Sequence, residues 1–304
     1  MAQELLGKVA LVTGSSKGIG KGIALELGEQ GATVYLTART LEPTDDNAGL
    51  RAAAAEIDAL GGTGIALQCD HGDDAQVEAV FAQIHGQHGA LDILVNNASP
   101  NFAAMVGEHF WDIPFWQMDA CLDIGPRSTF VATSLAVRAM IPRRAGLIVN
   151  VSSHGSQDYI LSVPYGAGKA GIDKVTADTA LELREHDIAA ISLWPGLVMT
   201  ERVVKRSIVN DDGGLVAEGL VLSFGESPRF SGRAITALAT DPDIMTRTGK
   251  AFAPSRLARE YGFTDIDGSL PPEVRNLAAL IGEENVPPFW KLVNPYPSTA
   301  SVDT

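Results

Sequence analysis

The sequence predicts an α/β protein with a doubly wound, parallel β-sheet. Short apolar runs alternate with longer helical patterns along most of the chain. Each run is almost continuously apolar, which is typical of strands that are covered on both faces. A glycine-rich loop follows the first run, and no internal repeat or low-complexity tract interrupts the pattern. Together these observations favour a sheet in which a crossover helix follows each strand.

The individual elements can be read from the same pattern. Short runs rich in β-branched residues predict strands at residues 9–14, 33–38, 64–70, 91–98, 146–153 and 188–196. Helical patterns between them predict helices at residues 19–30, 48–60, 74–88, 126–141 and 164–186. In such sheets, ligands bind beyond the carboxyl ends of the strands. The residues that follow each strand are therefore the candidates for function.

Composition narrows the possible partners. The chain of 304 residues is 45% hydrophobic and 20% charged, which is typical of a globular protein with a large core. A net charge of −14 argues against nucleic acid as a partner, because phosphate backbones are bound through accumulated Lys and Arg. Cys69 and Cys121 form no disulfide framework, which fits a reducing cytoplasm. No export signal or long apolar run is visible, so we expect a cytoplasmic protein without a membrane span.

The loop TGSSKGIG, residues 13–20, follows the first predicted strand and opens the first predicted helix. Its three glycines permit a tight turn and a close approach of the backbone to a ligand. Free N–H groups and the positive end of the helix dipole favour an anion at this place. The loop therefore predicts a site for the pyrophosphate of a dinucleotide, although its spacing departs from GxGxxG. The alternative is a structural turn.

Tyr165 and Lys169 are the ends of the segment YGAGK. If this segment is helical, residues four apart lie on one face, so the phenol and the ammonium point into the same volume. A nearby positive charge favours the phenolate, and we expect Lys169 to lower the pKa of Tyr165. The pair would then supply a proton donor that works near neutrality, unless the spacing arises by chance.

Four motifs in this order and spacing resemble those of the short-chain dehydrogenase/reductase family, over about residues 7 to 252. The matching segments are TGSSKGIG, the motif NNAG with Ser99 in place of glycine at residues 96–99, the Tyr165–Lys169 pair, and Pro195-Gly196 followed by Thr200. The phrases VPYGAGKA and LWPGLVMTE are also similar to the subgroup called dehydrogenase/reductase member 1.

The resemblance implies a Rossmann fold and hydride transfer between a nicotinamide and a carbonyl or alcohol carbon of a small apolar substrate. It implies that Tyr165 exchanges a proton with the substrate oxygen, while Lys169 bonds the nicotinamide ribose and a serine holds the substrate oxygen. The predicted cofactor contacts are Gly14, Ser16, Lys17, Gly18, Ile19, Gly20, Arg39, Asp70, Asn97, Ala98, Tyr165, Lys169, Pro195, Gly196, Val198 and Thr200. The alternative function is a redox sensor that binds the dinucleotide without catalysis.

Two serines compete for the role beside Tyr165. Counting along the strand GLIVNVSS gives Ser153, whereas counting back thirteen residues from Tyr165 gives Ser152. We favour Ser153, because the register of a strand is harder to shift than the loop at residues 154–164. Ser152 is the alternative.

Gly125 departs from the family pattern. When residues 125–130 are aligned with the family's NLRGxF pattern, Gly125 stands where the family often has an asparagine. A glycine has no side chain with which to hold the water molecule that, in the family, links the lysine to solvent. Asp123 is a candidate substitute, and Pro126 disturbs the local helix. The triad Ser153, Tyr165 and Lys169 is therefore predicted, and the fourth member is left open.

The end of the second strand bears on the choice of dinucleotide. An acidic residue there bonds the ribose 2′-OH of NAD and repels the extra phosphate of NADP. Here Ala38 occupies that place, and Arg39 follows with a guanidinium that can bond a phosphate. Lys17 adds a second positive charge. We predict NADP(H), with NAD as the alternative if Arg39 is only a solvated residue.

The remaining polar candidates carry weaker signals. His85 and His88 share a helix face without further ligands at metal spacing, so no metal is predicted. His154 adjoins the serines and is either a ligand contact or an ordinary loop residue. By resemblance Asp70 bonds the adenine, and the alternative is a cap of the following helix. The pair Asp45-Asp46 is predicted to be a solvated loop.

Substrate choice is expected to reside in the residues after Thr200. The segment of about residues 200–228 mixes apolar residues with glycines, which predicts a mobile lid or, alternatively, a pair of core helices with a loop. We predict one domain over residues 1–255, which includes this lid, and a C-terminal extension over residues 256–304. The resemblance also implies a homodimer or homotetramer.

Overall fold

The fold is taken from a computed structural model, which describes residues 3–45, 47–100, 109–209, 215–217, 220–221 and 224–273. Its strands are β1 Val9–Thr13, β2 Thr33–Ala38, β3 Thr63–Gln68, β4 Ile93–Asn96, β5 Gly146–Val151, β6 Ile188–Leu193, β7 Ile208–Val209, β8 Leu215–Ala217, β9 Leu220–Val221 and β10 Ala251–Phe252. Its helices are α1 Gly18–Glu29, α2 Gly49–Ala59, α3 Asp74–His88, α4 Phe115–Leu122, α5 Ser128–Met140, α6 Val163–Leu183, α7 Glu201–Arg206, α8 Pro228–Thr240 and α9 Pro254–Tyr261.

The main sheet has seven strands in the order β10-β6-β5-β4-β1-β2-β3, and every neighbouring pair is parallel. The chain runs outward from β1 through β2 to β3, and then returns to β4 on the other side of β1. The direction of winding therefore reverses between β1 and β4, and the crevice beyond their carboxyl ends is where such sheets bind ligands. The predicted doubly wound parallel sheet, a Rossmann fold, is confirmed.

Apolar side chains point alternately to the two faces of the sheet along each strand, and they form one core on each face. In β1, Ala10 and Val12 belong to the core under α1 and α8, whereas Val9 and Leu11 belong to the core under α3, α5 and α6. Both faces of the sheet are therefore covered, which explains why the strands are almost continuously apolar.

The predicted elements correspond to β1–β6 and to five of the helices, and the largest difference lies before α5. The helix predicted from residue 126 begins at Ser128, because a π-helical turn at Asp123–Arg127 precedes it. Gly125 inside that turn has a non-helical backbone, with φ −101° and ψ −110°, and Pro126 follows. Proline has no backbone N–H to donate, so the turn cannot continue a regular α-helix.

The predicted boundary at residue 255 falls inside α9, whose Leu257 is fully buried in the core. Beyond α9, Asp265 accepts hydrogen bonds from the backbone N–H and the hydroxyl of Ser227, at 2.7 and 2.5 Å. Residues 274–304 of the predicted extension lie outside the described residues. The division into domain and extension stays a prediction.

The predicted lid is described only in part. It contains α7 and a small antiparallel sheet in the order β7-β8-β9. The intervening residues 210–214, 218–219 and 222–223 lie outside the described residues, so its mobility stays a prediction. In the part of the chain that the structure describes, no helix has the length and hydropathy that crossing a membrane requires.

Candidate active site

The backbone of the glycine loop between β1 and α1 packs closely within the loop and against the end of β4. Gly14 has a positive φ of 65°, and a Cβ at this residue would lie 2.8 Å from the Cα atom of Ala98. A Cβ at Gly20 would lie 2.5 Å from the carbonyl oxygen of Gly14. Only residues without side chains fit at these two positions, as the sequence predicted.

The start of α1 fits a bound anion. The N-cap residue Lys17 makes no side-chain capping bond, so the first N–H groups of the helix receive no acceptor from it. The N–H of Gly18 donates to the Oε2 atom of Glu201 at 2.9 Å, which shows that a carboxylate oxygen already fits at this end. A pyrophosphate site at the N–H groups of Gly18, Ile19 and Gly20 fits this geometry and stays a prediction.

Asn97 and Ala98 lie directly beside this loop. The side-chain amide of Asn97 donates to the carbonyl oxygens of Thr13 and Gly14, at 2.8 and 3.1 Å. The Thr13 hydroxyl accepts the backbone N–H groups of Asn97 and Ala98, both at 2.9 Å. Asn97 thus fixes the loop from the end of β4, and Thr13 is a supporting residue that the motif analysis missed.

Two cationic side chains flank the predicted adenosine end of the crevice. Lys17 and Arg39 are both exposed and follow the neighbouring strands β1 and β2. Among the described contacts, neither side chain is paired with an acid. Ser16 is buried, and its hydroxyl accepts a hydrogen bond from the side-chain amide of Asn47 at 2.9 Å. Asn47 was not predicted, because nothing in its sequence neighbourhood marks it.

Asp70 does not cap α3, so that alternative is wrong. The N-cap is Asp73, whose carboxylate accepts two backbone N–H groups of the first turn. Asp70 instead accepts the N–H of Gly72 at 3.0 Å. The adjacent His71 is buried with its Nε2 atom 2.8 Å from the Thr37 hydroxyl, and burial lowers the pKa of His71 to about 4. This ring is neutral at physiological pH.

Tyr165 and Ser153 are in direct contact. The phenolic hydroxyl of Tyr165 donates to the Oγ atom of Ser153 at 2.8 Å, and the N–H of Gly155 donates to the same atom at 3.1 Å. The hydroxyl of Ser152 instead donates to the backbone carbonyl oxygen of Lys169 at 3.1 Å. Of the two competing serines, the structure therefore brings Ser153 to the tyrosine, and Ser152 supports the helix.

Lys169 is buried, with 8% of its surface exposed. Its Nζ atom donates to the carbonyl oxygen of Val151, the last residue of β5, at 3.0 Å. Burial lowers the pKa of Lys169 to about 8, while the charges of Asp173 and the Cys121 thiol act in the opposite direction. The ammonium is therefore protonated at neutral pH, and it titrates in the mildly alkaline range.

The pKa of Tyr165 differs from the prediction. Burial raises it, and the hydrogen bond with Ser153 opposes that effect. The Nζ atom of Lys169 lies 5.8 Å from the centre of the tyrosine ring and is directed at the Val151 carbonyl. The predicted lowering by Lys169 is wrong in this structure, because desolvation of the phenol outweighs the other influences on it.

A cavity adjoins the phenol and the ammonium. Its lining is largely apolar or backbone and consists of Ala98, Ser99, Pro100, Cys121, Ile124, Gly125, Tyr165, Gly168, Lys169 and Ile172. A Cβ at Gly125 would lie 3.8 Å from the carbonyl oxygen of Gly168, so the space for a side chain exists and glycine leaves it open. Asp123, the candidate substitute for the asparagine, is exposed and does not line this cavity.

The other predicted candidates lie apart from this crevice or carry no further assignment. His88 on α3 contacts the ring of Tyr35 edge-on, at 5.6 Å between ring centres. His154 begins a short 3₁₀ turn after Ser153, and its role stays a prediction. Asp45 is exposed, and Asp46 lies outside the described residues. No three potential metal ligands cluster among the described side chains, and the absence of a metal stays a prediction.

Comparison with known proteins matches this chain to one family. The family model for short chain dehydrogenase matches residues 8–209. The chain is 41% identical over 275 residues to Dehydrogenase/reductase SDR family member 1 of Mus musculus, covering 88% of this chain and 86% of that protein. It is 39% identical over 288 residues to the protein of the same name from Homo sapiens, covering 92% and 90%.

The chain belongs to the short-chain dehydrogenase/reductase family. Its predicted resemblance to the member 1 subgroup is confirmed, and it is a dinucleotide-dependent oxidoreductase that acts on CH–OH or C=O groups. A metagenomic short-chain oxidoreductase in complex with NADP has a similar structure, with a TM-score of 0.65 and 28% identity. That match covers 82% of this chain and 97% of the other.

In this dehydrogenase, the Pro195–Gly196 loop is held by Glu226, which the sequence analysis missed. The N–H of Gly196 donates to the Oε1 atom of Glu226 at 3.1 Å. Backbone bonds join Glu226 to Leu197 and Met199, each at 2.8 Å. Glu226 is only 2% exposed, and burial raises its pKa to about 8. A neutral carboxyl group therefore lies under the predicted cofactor loop at physiological pH.

The end of this loop returns to the glycine loop. A Cβ at Gly18 would lie 3.4 Å from the methyl carbon of Thr200. The Thr200 hydroxyl caps α7 by accepting the N–H of Val203 at 3.4 Å, and Val198 is buried. The structure thus brings Thr200 to the glycine loop, and the cofactor contacts at Pro195, Gly196, Val198 and Thr200 stay a prediction.

We predict that Glu226 makes the free energy of unfolding depend on pH. The folded pKa of about 8 lies above the ordinary value of 4.5, so the folded state keeps a proton that the unfolded state releases. Stability from this group therefore falls as the pH rises from about 4.5 to about 8. Glu226→Gln lacks this ionisable group. Between pH 5 and 8, its free energy of unfolding should therefore fall by on the order of 3 to 4 kcal/mol less than that of the wild type. Urea denaturation across this pH range measures the difference.

The exposed Glu182 on α6 provides the control for that experiment. Glu182→Gln should show the same pH dependence as the wild type, because this substitution leaves the buried Glu226 carboxyl group in place. Equal pH slopes for Glu226→Gln and the wild type would contradict the assignment of a neutral buried acid.

Proposed function

We propose that this dehydrogenase uses NADP(H) to interconvert a carbonyl and an alcohol of a small apolar substrate. The observation that carries this proposal is the 2.8 Å contact between the Tyr165 hydroxyl and Ser153, beside the buried Lys169 ammonium. Tyr165 and Lys169 line one cavity, and the hydroxyl of Ser153 is bonded to the phenol there. This is the set of groups that carbonyl reduction requires apart from the hydride.

The bound dinucleotide supplies or accepts the hydride. In the reducing direction, Tyr165 holds a proton on its hydroxyl oxygen and passes it to the substrate oxygen. The raised pKa of Tyr165 suits this donor role, because the phenol stays protonated near neutral pH. Ser153 orients the substrate oxygen next to the phenol, and the Lys169 ammonium stabilises negative charge as the proton leaves Tyr165.

The cavity supports an apolar substrate. Ala98, Pro100, Ile124 and Ile172 supply apolar surface around the reactive hydroxyl groups. Such a lining excludes water and favours an aldehyde or ketone with a hydrocarbon substituent over a charged compound. A cytoplasmic location is part of the proposal, in keeping with the buried free thiols of Cys69 and Cys121.

Removal of the phenolic hydroxyl tests the catalytic assignment. Tyr165→Phe should lower kcat for NADPH-dependent reduction by roughly 10² to 10⁴-fold, because the proton donor is lost. Dinucleotide affinity, followed by fluorescence titration, should remain nearly unchanged. A spectroscopic screen of apolar aldehydes and ketones with NADPH supplies the substrate.

The two serines form a matched pair for this experiment. Ser153→Ala should reduce kcat strongly, whereas Ser152→Ala removes only a bond to the backbone and should have a small effect. Full activity of Tyr165→Phe would contradict the mechanism. If the wild type binds NADPH tightly but no compound in the screen leads to NADPH oxidation, the redox sensor would instead be favoured.

Exchange of the residues after β2 tests the choice of cofactor. Ala38→Asp combined with Arg39→Leu introduces a charge that repels the 2′-phosphate and removes the exposed guanidinium that would bond it. The ratio of kcat/KM values should shift toward NAD by about 3 kcal/mol, or roughly 100-fold. Arg144→Leu, which removes an exposed arginine paired with Asp187, is the control. An unchanged ratio in the double variant would show that Arg39 does not recognise the phosphate.

We also propose a homodimer or homotetramer. Exposed aromatic side chains occupy α4 and α5, where Phe115 is 91%, Trp116 57% and Phe130 60% exposed. Large apolar side chains of this kind favour burial in an interface. Light scattering at micromolar concentration should therefore give at least twice the monomer mass, and Phe130→Glu should lower it. Leu6→Glu, at an exposed residue outside these helices, is the control. A monomeric wild type would refute the proposal.

A further inference from the structure

Asp173 links the helix that carries Tyr165 and Lys169 to the strand that leads into the cofactor loop. Its Oδ1 atom accepts hydrogen bonds from the Ser192 hydroxyl at 2.5 Å and from the indole N–H of Trp194 at 3.2 Å. Ser192 belongs to β6, and Trp194 directly precedes Pro195. Two donors from a neighbouring strand therefore hold this carboxyl group at a defined position.

The position matters because Asp173 lies one helical turn after Lys169. Residues four apart share a face of a helix, so the carboxyl group and the ammonium stem project from the same side of α6. Asp173 is half-buried and Lys169 is buried, so the charge of one is less screened from the other than on an open surface.

The buried ammonium has no acid in its immediate hydrogen-bonding environment among the described contacts. Its Nζ atom donates to the neutral carbonyl of Val151, the Tyr165 ring lies 5.8 Å away, and the titratable groups whose charge acts on it are the Cys121 thiol from α4 and Asp173. Removing a lysine from water disfavours its charged form unless negative charge lies nearby. Asp173 is the carboxylic acid in this set.

We propose that Asp173 is a positioning residue for the dehydrogenase reaction, whose fixed carboxylate keeps the Lys169 ammonium charged while Tyr165 transfers its proton. This inference rests on the proposed function. The effect of Asp173 on Lys169 runs in the required direction, because it opposes the lowering of the lysine pKa by burial. The competing explanation is that Asp173 only ties α6 to β6.

Asp173→Asn separates these explanations. The amide oxygen can still accept from Ser192 and Trp194, so the tie is retained while the negative charge is removed. Direct NMR titration of protein labelled at the lysine Cε carbon reports the pKa of Lys169, with its signal assigned by Lys169→Arg. The pKa of Lys169, about 8 in the wild type, should fall by roughly one unit. Because loss of the lysine charge should lower kcat at alkaline pH, the decline of kcat should move to lower pH by the same amount.

Asp178→Asn is the matched control. Asp178 lies on the same helix and forms an exposed ion pair with Lys174 at 2.7 Å. This variant should leave the titration of Lys169 and the pH profile of kcat unchanged. If Asp173→Asn does not fold in a thermal melt, Asp173→Ser is the second neutral variant, with the same expected shift in the lysine titration.

An unchanged lysine titration in a folded neutral variant, with kcat lowered equally at every pH, would overturn the proposal in favour of a purely structural tie. The titration needs neither NADPH nor substrate. Its outcome therefore decides the role of Asp173 even if the wild type reduces no carbonyl compound, a result that would overturn the proposed function alone.

Discussion

Burial of the Lys169 ammonium is the constraint on which the candidate active site depends. A charge removed from water must be compensated locally, and here the compensation comes from separate parts of the fold. The carbonyl oxygen of Val151, the last residue of β5, accepts the hydrogen bond of the ammonium. Asp173 is available because β6 supplies Ser192 and Trp194 to hold it. The ammonium therefore depends on the position of α6 relative to the carboxyl ends of β5 and β6, and the doubly wound sheet fixes that position.

The same constraint accounts for the small residues between Tyr165 and Lys169. A Cβ at Gly168 would lie 2.8 Å from the carbonyl oxygen of Cys121, so only glycine lets α4 pack this closely on α6. Close packing excludes water from the ammonium and lowers its pKa. It also buries the phenol, which is why the pKa of Tyr165 is raised. The segment YGAGK thus combines two reactive side chains with the close helix contact that sets their protonation.

Local pattern in the sequence identified most of the sheet, and it selected Ser153, Tyr165 and Lys169, of which the structure brings the first two into direct contact. The strands were predictable because burial on both faces leaves a continuous apolar signal, and Ser153 was correctly preferred as the neighbour of Tyr165 because strand register is rigid.

β10 was missed because a strand of two residues carries almost no pattern. Glu226 was missed because its bond to Gly196 spans thirty residues. Spacing placed Lys169 on the face of Tyr165, but it did not reveal that the ammonium points to Val151. The predicted direction of the tyrosine pKa was wrong chiefly because burial of the phenol, which raises its pKa, could not be read from spacing. Asp173 was recoverable in principle, since it follows Lys169 by four residues.

The protonation of Lys169 and Glu226 shows how an acidic protein can offer a site to an anionic cofactor. Both groups have a pKa of about 8, and burial is the main cause in each, acting in opposite directions on an ammonium and a carboxylic acid. Below that pH the lysine is charged and the glutamic acid is neutral, so neither buried group repels a phosphate or a developing phenolate. Above it both lose a proton, and the crevice becomes more negative by two charges. A net charge of −14 is therefore compatible with dinucleotide binding, because the buried Glu226 under the Pro195–Gly196 loop is kept neutral while the exposed Lys17 and Arg39 supply positive charge at the other end.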